Sequence, residues 1–205
     1  MWYSLMEENN AAIVVSHLQK KYKLFKNPKQ RMLYQLTGLG AEAEHTALED
    51  ISFCVEKGES FAVIGKNGSG KSTLLQILAG ILKKTDGEMT INGKIAALLE
   101  LGSGFDPESS GYDNIYMNAA ILGVDKDEID KRVNDIISFA DIGDYIYQPV
   151  KTYSSGMFIR LGFAVAINVD ADILLVDEAL AVGDIFFRQK CYARLNELKE
   201  KGVTI

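Results

Sequence analysis

Residues Gly65-Lys66-Asn67-Gly68-Ser69-Gly70-Lys71-Ser72-Thr73 stand between an apolar run and residues of helical apolar spacing. Spaced glycines let a backbone close around a ligand, so that successive N–H groups and a helix N-terminus converge on an anion. With a lysine and a hydroxyl next in line, the fitting anion is the phosphate chain of a nucleotide such as ATP. Lys71 would sit between the β- and γ-phosphates, with a catalytic share, and the Ser72 hydroxyl would ligate Mg²⁺. Asn67, Ser69 and Thr73 complete the loop. About 100 residues on, Ile173-Leu174-Leu175-Val176-Asp177-Glu178 carries two acids out of a second apolar run. Asp177 would hold the Mg²⁺ shell, and Glu178 would polarise the attacking water as general base.

An Asp-Glu pair alone is a common strand end. Joined to a G-x-x-x-x-G-K-[ST] loop in strand–loop–helix context, it marks a P-loop NTPase. The elements that must position these residues follow from periodicity. Ile13–Leu18 reads as an edge strand, and 20–47 as a basic loop or short helix inserted between strands. Ile51–Val55 alternates as a half-buried strand, residues 56–59 turn, and Ser60–Ile64 reads as a fully buried strand. Lys71–Leu82 is predicted as a helix, Ile95–Leu99 as a strand and Tyr112–Leu122 as a helix. Ile129, Val133, Ile136, Ile137 and Ala140 share one helical face. Met157–Asn168 is an interior helix, Ile173–Val176 a buried strand and Phe186–Lys201 a helix closed by Gly202. Val203–Ile205 opens another strand, so the C-terminus is expected to be truncated.

The chain has 205 residues, 47% hydrophobic and 24% charged, which fits one α/β domain. No apolar run approaches the roughly 20 residues of a membrane span, so any membrane role is expected to be peripheral. A net charge of -6 argues against nucleic-acid binding. Between Ala12 and Ala41, however, Lys20, Lys21, Lys23, Lys26, Lys29 and Arg31 occur without an acid. They would face anionic headgroups or a phosphate-bearing substrate, or simply be solvated. Cys54 and Cys191 suit neither a zinc site nor a redox pair and read as buried thiols of a reducing cytosol.

Between the loop and the acids, Tyr153-Ser154-Ser155-Gly156-Met157 opens a helix about 20 residues before Asp177. By itself it is also a serviceable helix cap. In this position it resembles the Leu-Ser-Gly-Gly-Gln signature of ABC ATPases, from which it departs at three of five positions. The resemblance implies that Ser154, Ser155 and Gly156 contact the γ-phosphate held by an opposite protomer. It places Asp184, in Ala181-Val182-Gly183-Asp184, in the loop that communicates between protomers, and Glu100 near the usual glutamine of the Q-loop. Tyr22 matches the aromatic residue that stacks on adenine, and is equally one of nine tyrosines able to serve packing.

Leu99–Phe105, Lys151–Met157 and Asp177–Asp184 together resemble the ATPases that export O-antigen, capsular polysaccharide and teichoic acid. The resemblance runs from about Ile13 to Ile205 and includes the insertion after Tyr22, which in that family lies toward the membrane partner. It implies an α/β ABC-type nucleotide-binding domain with a mainly parallel core sheet, an antiparallel β part and a helical signature subdomain. The core would comprise 11–98 and 170–205, and the helical part 99–169. It implies a homodimer on the cytoplasmic face of the bacterial membrane, docked on a separate ABC-2-type permease through a region near Phe105–Asn114, moving a lipid-linked glycan or teichoic acid. The family's switch histidine should follow Ile205, and neither His17 nor His45 replaces it, so hydrolysis by this stretch alone is expected to be impaired. A non-transport ABC ATPase, associated with ribosomes or chromosome maintenance, and a P-loop kinase are the alternatives; the kinase leaves Ser154–Gly156 unexplained.

Overall fold

The computed structural model describes residues 10–37, 43–99, 101–121, 123–177 and 184–205. They form two compact units: one of the described residues up to Glu56 with Ala62–Asn92, the other of Lys57–Phe61 with the described residues from Gly93 to Ile205.

The first unit is built on an antiparallel sheet in the order β2-β1-β3, with β1 at Ala11–Leu24, β2 at Ala43–Glu56 and β3 at Asp86–Ile91. Ile13, Val15 and Leu18 are buried in its middle strand. This corrects the edge assignment. Ile13 pairs with Val55 on one side and with Ile91 on the other, and the second partner lies too far along the chain for periodicity to reveal. A register shift between Val15 and Leu18 skips the exposed His17 and returns Leu18 to the core. The basic segment splits, since Lys20–Lys23 extend β1 while Pro28–Thr37 forms the inserted helix α1. Its lysines are partly engaged within the unit. Lys20 Nζ donates to the Lys83 carbonyl at 2.7 Å, and Lys23 to the Tyr34 hydroxyl. Helix α2 spans Lys71–Leu78, shorter than predicted because Gly80 N–H closes back on the Ile77 carbonyl at 3.0 Å and leaves Ile81 exposed.

The second unit carries parallel pairing. β4 at Ile95–Leu98 runs beside β5 at Ile173–Val176 in the register Ile95↔Ile173 to Leu98↔Val176. On the far side of β5, Leu174 N–H donates to the Thr204 carbonyl at 2.8 Å, and Ile205 N–H to the Glu59 carbonyl at 2.9 Å. Phe61 N–H donates in turn to the Ile205 carbonyl at 2.8 Å, continuing the parallel pattern. The buried strand expected at Ser60–Ile64 does not form. Phe61 pairs with Ile205, but Phe61, Val63 and Ile64 are exposed. A strand is made by its neighbours as much as by its own residues.

Helices α3 at Gly111–Ile121, α4 at Lys126–Ala140, α5 at Ser155–Ile167 and α6 at Ile185–Glu200 complete the unit. The predicted face of α4 is the buried one; Ile129, Val133 and Ile136 pack with Ile115, Leu161 and Val165. Helix α5 is apolar nearly all round because it serves two clusters. Leu161 and Ala164 face α3 and α4, while Phe163 and Ile167 join Leu98, Leu174 and Phe187. Cys191 lies in that second cluster, and burial pushes its thiol up to about 12. Cys54 is only half-buried. Among the described residues no helix is long and apolar enough to cross a membrane.

Candidate functional site

In the first unit the glycine loop closes on its own lysine. Lys71 Nζ donates to the carbonyls of Gly65 at 3.0 Å and Lys66 at 3.1 Å, while Ser69 N–H bonds the Lys66 carbonyl at 3.1 Å. The ammonium is thereby held inside the turn. Helix α2 starts its own ladder with Leu74 N–H on the Gly70 carbonyl at 2.9 Å, so the N–H groups of Lys71, Ser72 and Thr73 precede any intrahelical acceptor. Its N-cap, Gly70, has φ +91° and no side chain to fill those donors. A Cβ there would lie 2.5 Å from the Ala47 carbonyl oxygen, so only glycine lets the loop rest on β2. Gly68, at φ +82°, has open space where a Cβ would stand, and Asn67 is exposed beside it. A positive helix end, a caged ammonium and a hydroxyl at Ser72 form a donor set that fits a phosphate chain with its magnesium ion.

Tyr22 pairs with His45 across β1 and β2, two residues from Ala47. The backbone of Tyr22 is thus offset by roughly 7 Å along the strand from the residue on which the loop rests. Lys20 Nζ lies 5.0 Å from the Tyr22 ring centroid.

In the second unit, Ser154 is the N-cap of α5. Its Oγ accepts from Met157 N–H at 3.2 Å, which leaves the hydroxyl proton free to donate. Ser155 is exposed, and nothing comes closer than 3.9 Å to where a Gly156 Cβ would stand. The helix start is open to approach. Asp177 follows β5 directly, half-buried. Asp184 is the N-cap of α6. Its Oδ1 accepts from Phe186 and Phe187 N–H, each at 2.9 Å, and Oδ2 from Arg160 Nη2. The Phe187 amide first, and then Arg160, hold this carboxyl below the usual 3.8. Glu100 and Glu178 lie outside the described residues.

Arg160 has no place in the motifs, yet it joins the body of α5 to the start of α6. From α5 it reaches Asp184, donates through Nη1 to the Asp141 carbonyl at 3.1 Å, and rests its guanidinium 5.1 Å from the Phe187 ring centroid. A lone charge in the otherwise apolar run Met157–Ile167 was the signal that could have found it.

The sequence pattern of the family described as "ABC transporter" matches residues 48–181. The chain is 49% identical over 193 residues to the ABC transporter protein AbcA of Aeromonas salmonicida, covering 94% of this chain and 63% of that protein. It is 45% identical over 201 residues to the O-antigen export system ATP-binding protein RfbB of Klebsiella pneumoniae, covering 93% of this chain and 80% of that one. To the teichoic acids export ATP-binding protein TagH of Bacillus cereus it is 43% identical over 196 residues, covering 96% of this chain and 36% of TagH. The chain therefore spans 63% of the length of AbcA and little more than a third of TagH. Among solved structures, a dimeric ATP-binding cassette in a post-hydrolysis state, bound to ADP and Pi, is similar with TM-score 0.75 at 21% identity, covering 94% of this chain and 85% of that chain. That likeness shows the cassette fold. With a family match across most of its length and a relative of which it covers four fifths, the chain belongs to the ABC transporter family.

Proposed function

We propose that the protein is the ATP-binding and ATP-hydrolysing subunit of an exporter of lipid-linked polysaccharide, O-antigen or teichoic acid, acting as one ATPase domain. The observation that carries the ATP reading is the glycine loop on β2, with Lys71 caged at the N-terminus of α2. The export reading is supported by what the relatives RfbB and TagH are named for.

Within this reading Gly65–Thr73 bind the phosphates, Tyr22 stacks on the adenine, and Ser72 and Asp177 hold Mg²⁺. Held there, the ion would supply neutralisation of the phosphate charge. Glu178 takes a proton from the attacking water, and Glu100 helps to orient that water. Ser154, with the Ser155 and Gly156 amides, donates to the terminal phosphate held by a second copy, and Asp184 reports between the copies. The homodimer would work peripherally at the cytoplasmic membrane face, on an ABC-2-type permease of separate chain. Nucleic acid has no part in this reading.

The test is ATP turnover by the full-length protein reconstituted with and without an ABC-2-type permease from the same organism, in the presence and absence of a lipid-linked glycan. Stimulation by both is the expected result. Turnover indifferent to both overturns export in favour of a non-transport ABC ATPase.

A further inference from the structure

The signature segment departs from its common form first at Tyr153, where a leucine is usual, and the structure holds this tyrosine in a particular way. Its hydroxyl donates to the Tyr145 carbonyl at 2.8 Å, in the turn that precedes the segment. The same hydroxyl occupies the place where a Cβ on Gly111 would stand, while Ile146 and Leu161 close that spot from other sides, each at 3.1 Å. Burial raises the pKa of the phenol, so it stays a donor. Gly111 begins α3, directly after a loop fixed by the fully buried Asn114. That side chain accepts from Asp106 N–H at 2.7 Å and donates to the carbonyls of Asp106 at 2.9 Å and Ser110 at 2.8 Å. The loop is strapped to the stretch before Tyr153 by Lys151 N–H on the Pro107 carbonyl at 2.9 Å, Val150 N–H on the Ser109 carbonyl at 3.0 Å and Gly111 N–H on the Gln148 carbonyl at 3.3 Å.

Ser154 therefore hangs one residue beyond a seat built by another loop. We infer that Tyr153 and Gly111 form a matched pair of positioning residues, in which the tyrosine hydroxyl lodged over the missing side chain of Gly111 sets where Ser154 and the N-terminus of α5 stand. Any displacement of the 106–111 loop is passed to Ser154 through this contact and the three backbone bonds beside it. The inference rests on the proposed role of Ser154 toward a phosphate.

The pairing makes a reciprocal prediction that a merely structural role would not. In the full-length protein, Gly111→Ala forces the hydroxyl out and should lower ATP turnover at saturating ATP by at least about tenfold, the effect expected of a displacement near 1 Å. Nucleotide affinity of the isolated subunit should stay unchanged, because the phosphate loop belongs to the other unit. Adding Tyr153→Phe removes the obstructing oxygen and should restore turnover to within about twofold of Tyr153→Phe alone, since the ends of Ile146 and Leu161, each at 3.1 Å, then need give way only slightly to admit a methyl group. Melting temperatures of all three variants separate this from unfolding. Turnover unaffected by Gly111→Ala, or a loss that Tyr153→Phe fails to rescue, overturns the pairing. Ser154→Ala distinguishes the two readings: if it leaves turnover intact, the role of Ser154 fails and the positioning claim with it. If it abolishes turnover while Gly111→Ala does not, the positioning claim alone fails.

Discussion

Two helix starts in this chain face opposite chemical demands. At α2 the N-cap is Gly70, whose backbone sits in the left-handed region and offers no side chain, so the first amides are left for something else. At α6 the N-cap is Asp184, whose carboxylate takes two of those amides and pairs with Arg160 besides. One end is left without a side-chain acceptor, and the other carries its own anion. The start of α5 lies between them, because Ser154 caps one amide with a lone pair and keeps a proton to give. The positive end of a helix is thus a common resource, and the capping residue decides whether it serves stability or ligand.

The comparison breaks most easily at Gly70. Alanine there meets a left-handed backbone, about 1–2 kcal/mol, and a carbonyl oxygen 2.5 Å from its Cβ, so that backbone must shift as well. Gly70→Ala should cost about 3 kcal/mol or more in thermal unfolding and abolish ATP binding. Gly68→Ala, with open space around its Cβ, should cost only about 1–2 kcal/mol. Equal losses at the two positions would show that backbone conformation, and not the seat on Ala47, governs the loop.

A smaller effect sharpens the contrast at α5. Ser154→Ala should cost about 1 kcal/mol of stability, the usual worth of an N-cap. Ser154→Asp supplies an equally good cap, so unfolding should move by less than about 0.5 kcal/mol, yet it turns this end into a copy of α6 and should suppress ATP turnover. Retained turnover in the aspartate variant would mean that no phosphate approaches α5.

How much of this was legible in the sequence depends on whether the cause was local. The buried face of α4 and the helix start at Ser154 are set by neighbours within a few residues, and both elements form where the periodicity and the cap placed them. The place of β1 in the middle of its sheet was hidden because β3 lies some 70 residues away. Ser60–Ile64 carries the apolar run of a buried strand, yet beyond Phe61 no partner pairs with it among the described residues. Tyr153 was visible as a departure from a motif, but its reason, the absent side chain at Gly111, lies 42 positions earlier and shows only when the loop is folded. Glu100 and Glu178 were read from motif position alone.

The least effect is expected at Asp184, and it is a dependence on pH. The Phe187 amide and Arg160 hold its carboxyl below the usual 3.8, so the folded state favours the ionised form more than the unfolded state does. The stability this contributes is fully present above about pH 4, and is lost as pH falls through the folded pKa. Asp184→Asn keeps a capping oxygen but has no charge to titrate. Melting temperatures of the two proteins should therefore differ at neutral pH and converge below pH 4, in low salt more than in high, because the pair with Arg160 is partly exposed. A difference that persists unchanged into acid would assign the work to the cap geometry alone. Arg160 would then be bound to α6 mainly through the Phe187 ring, and α5 and α6 would be joined by packing and not by charge.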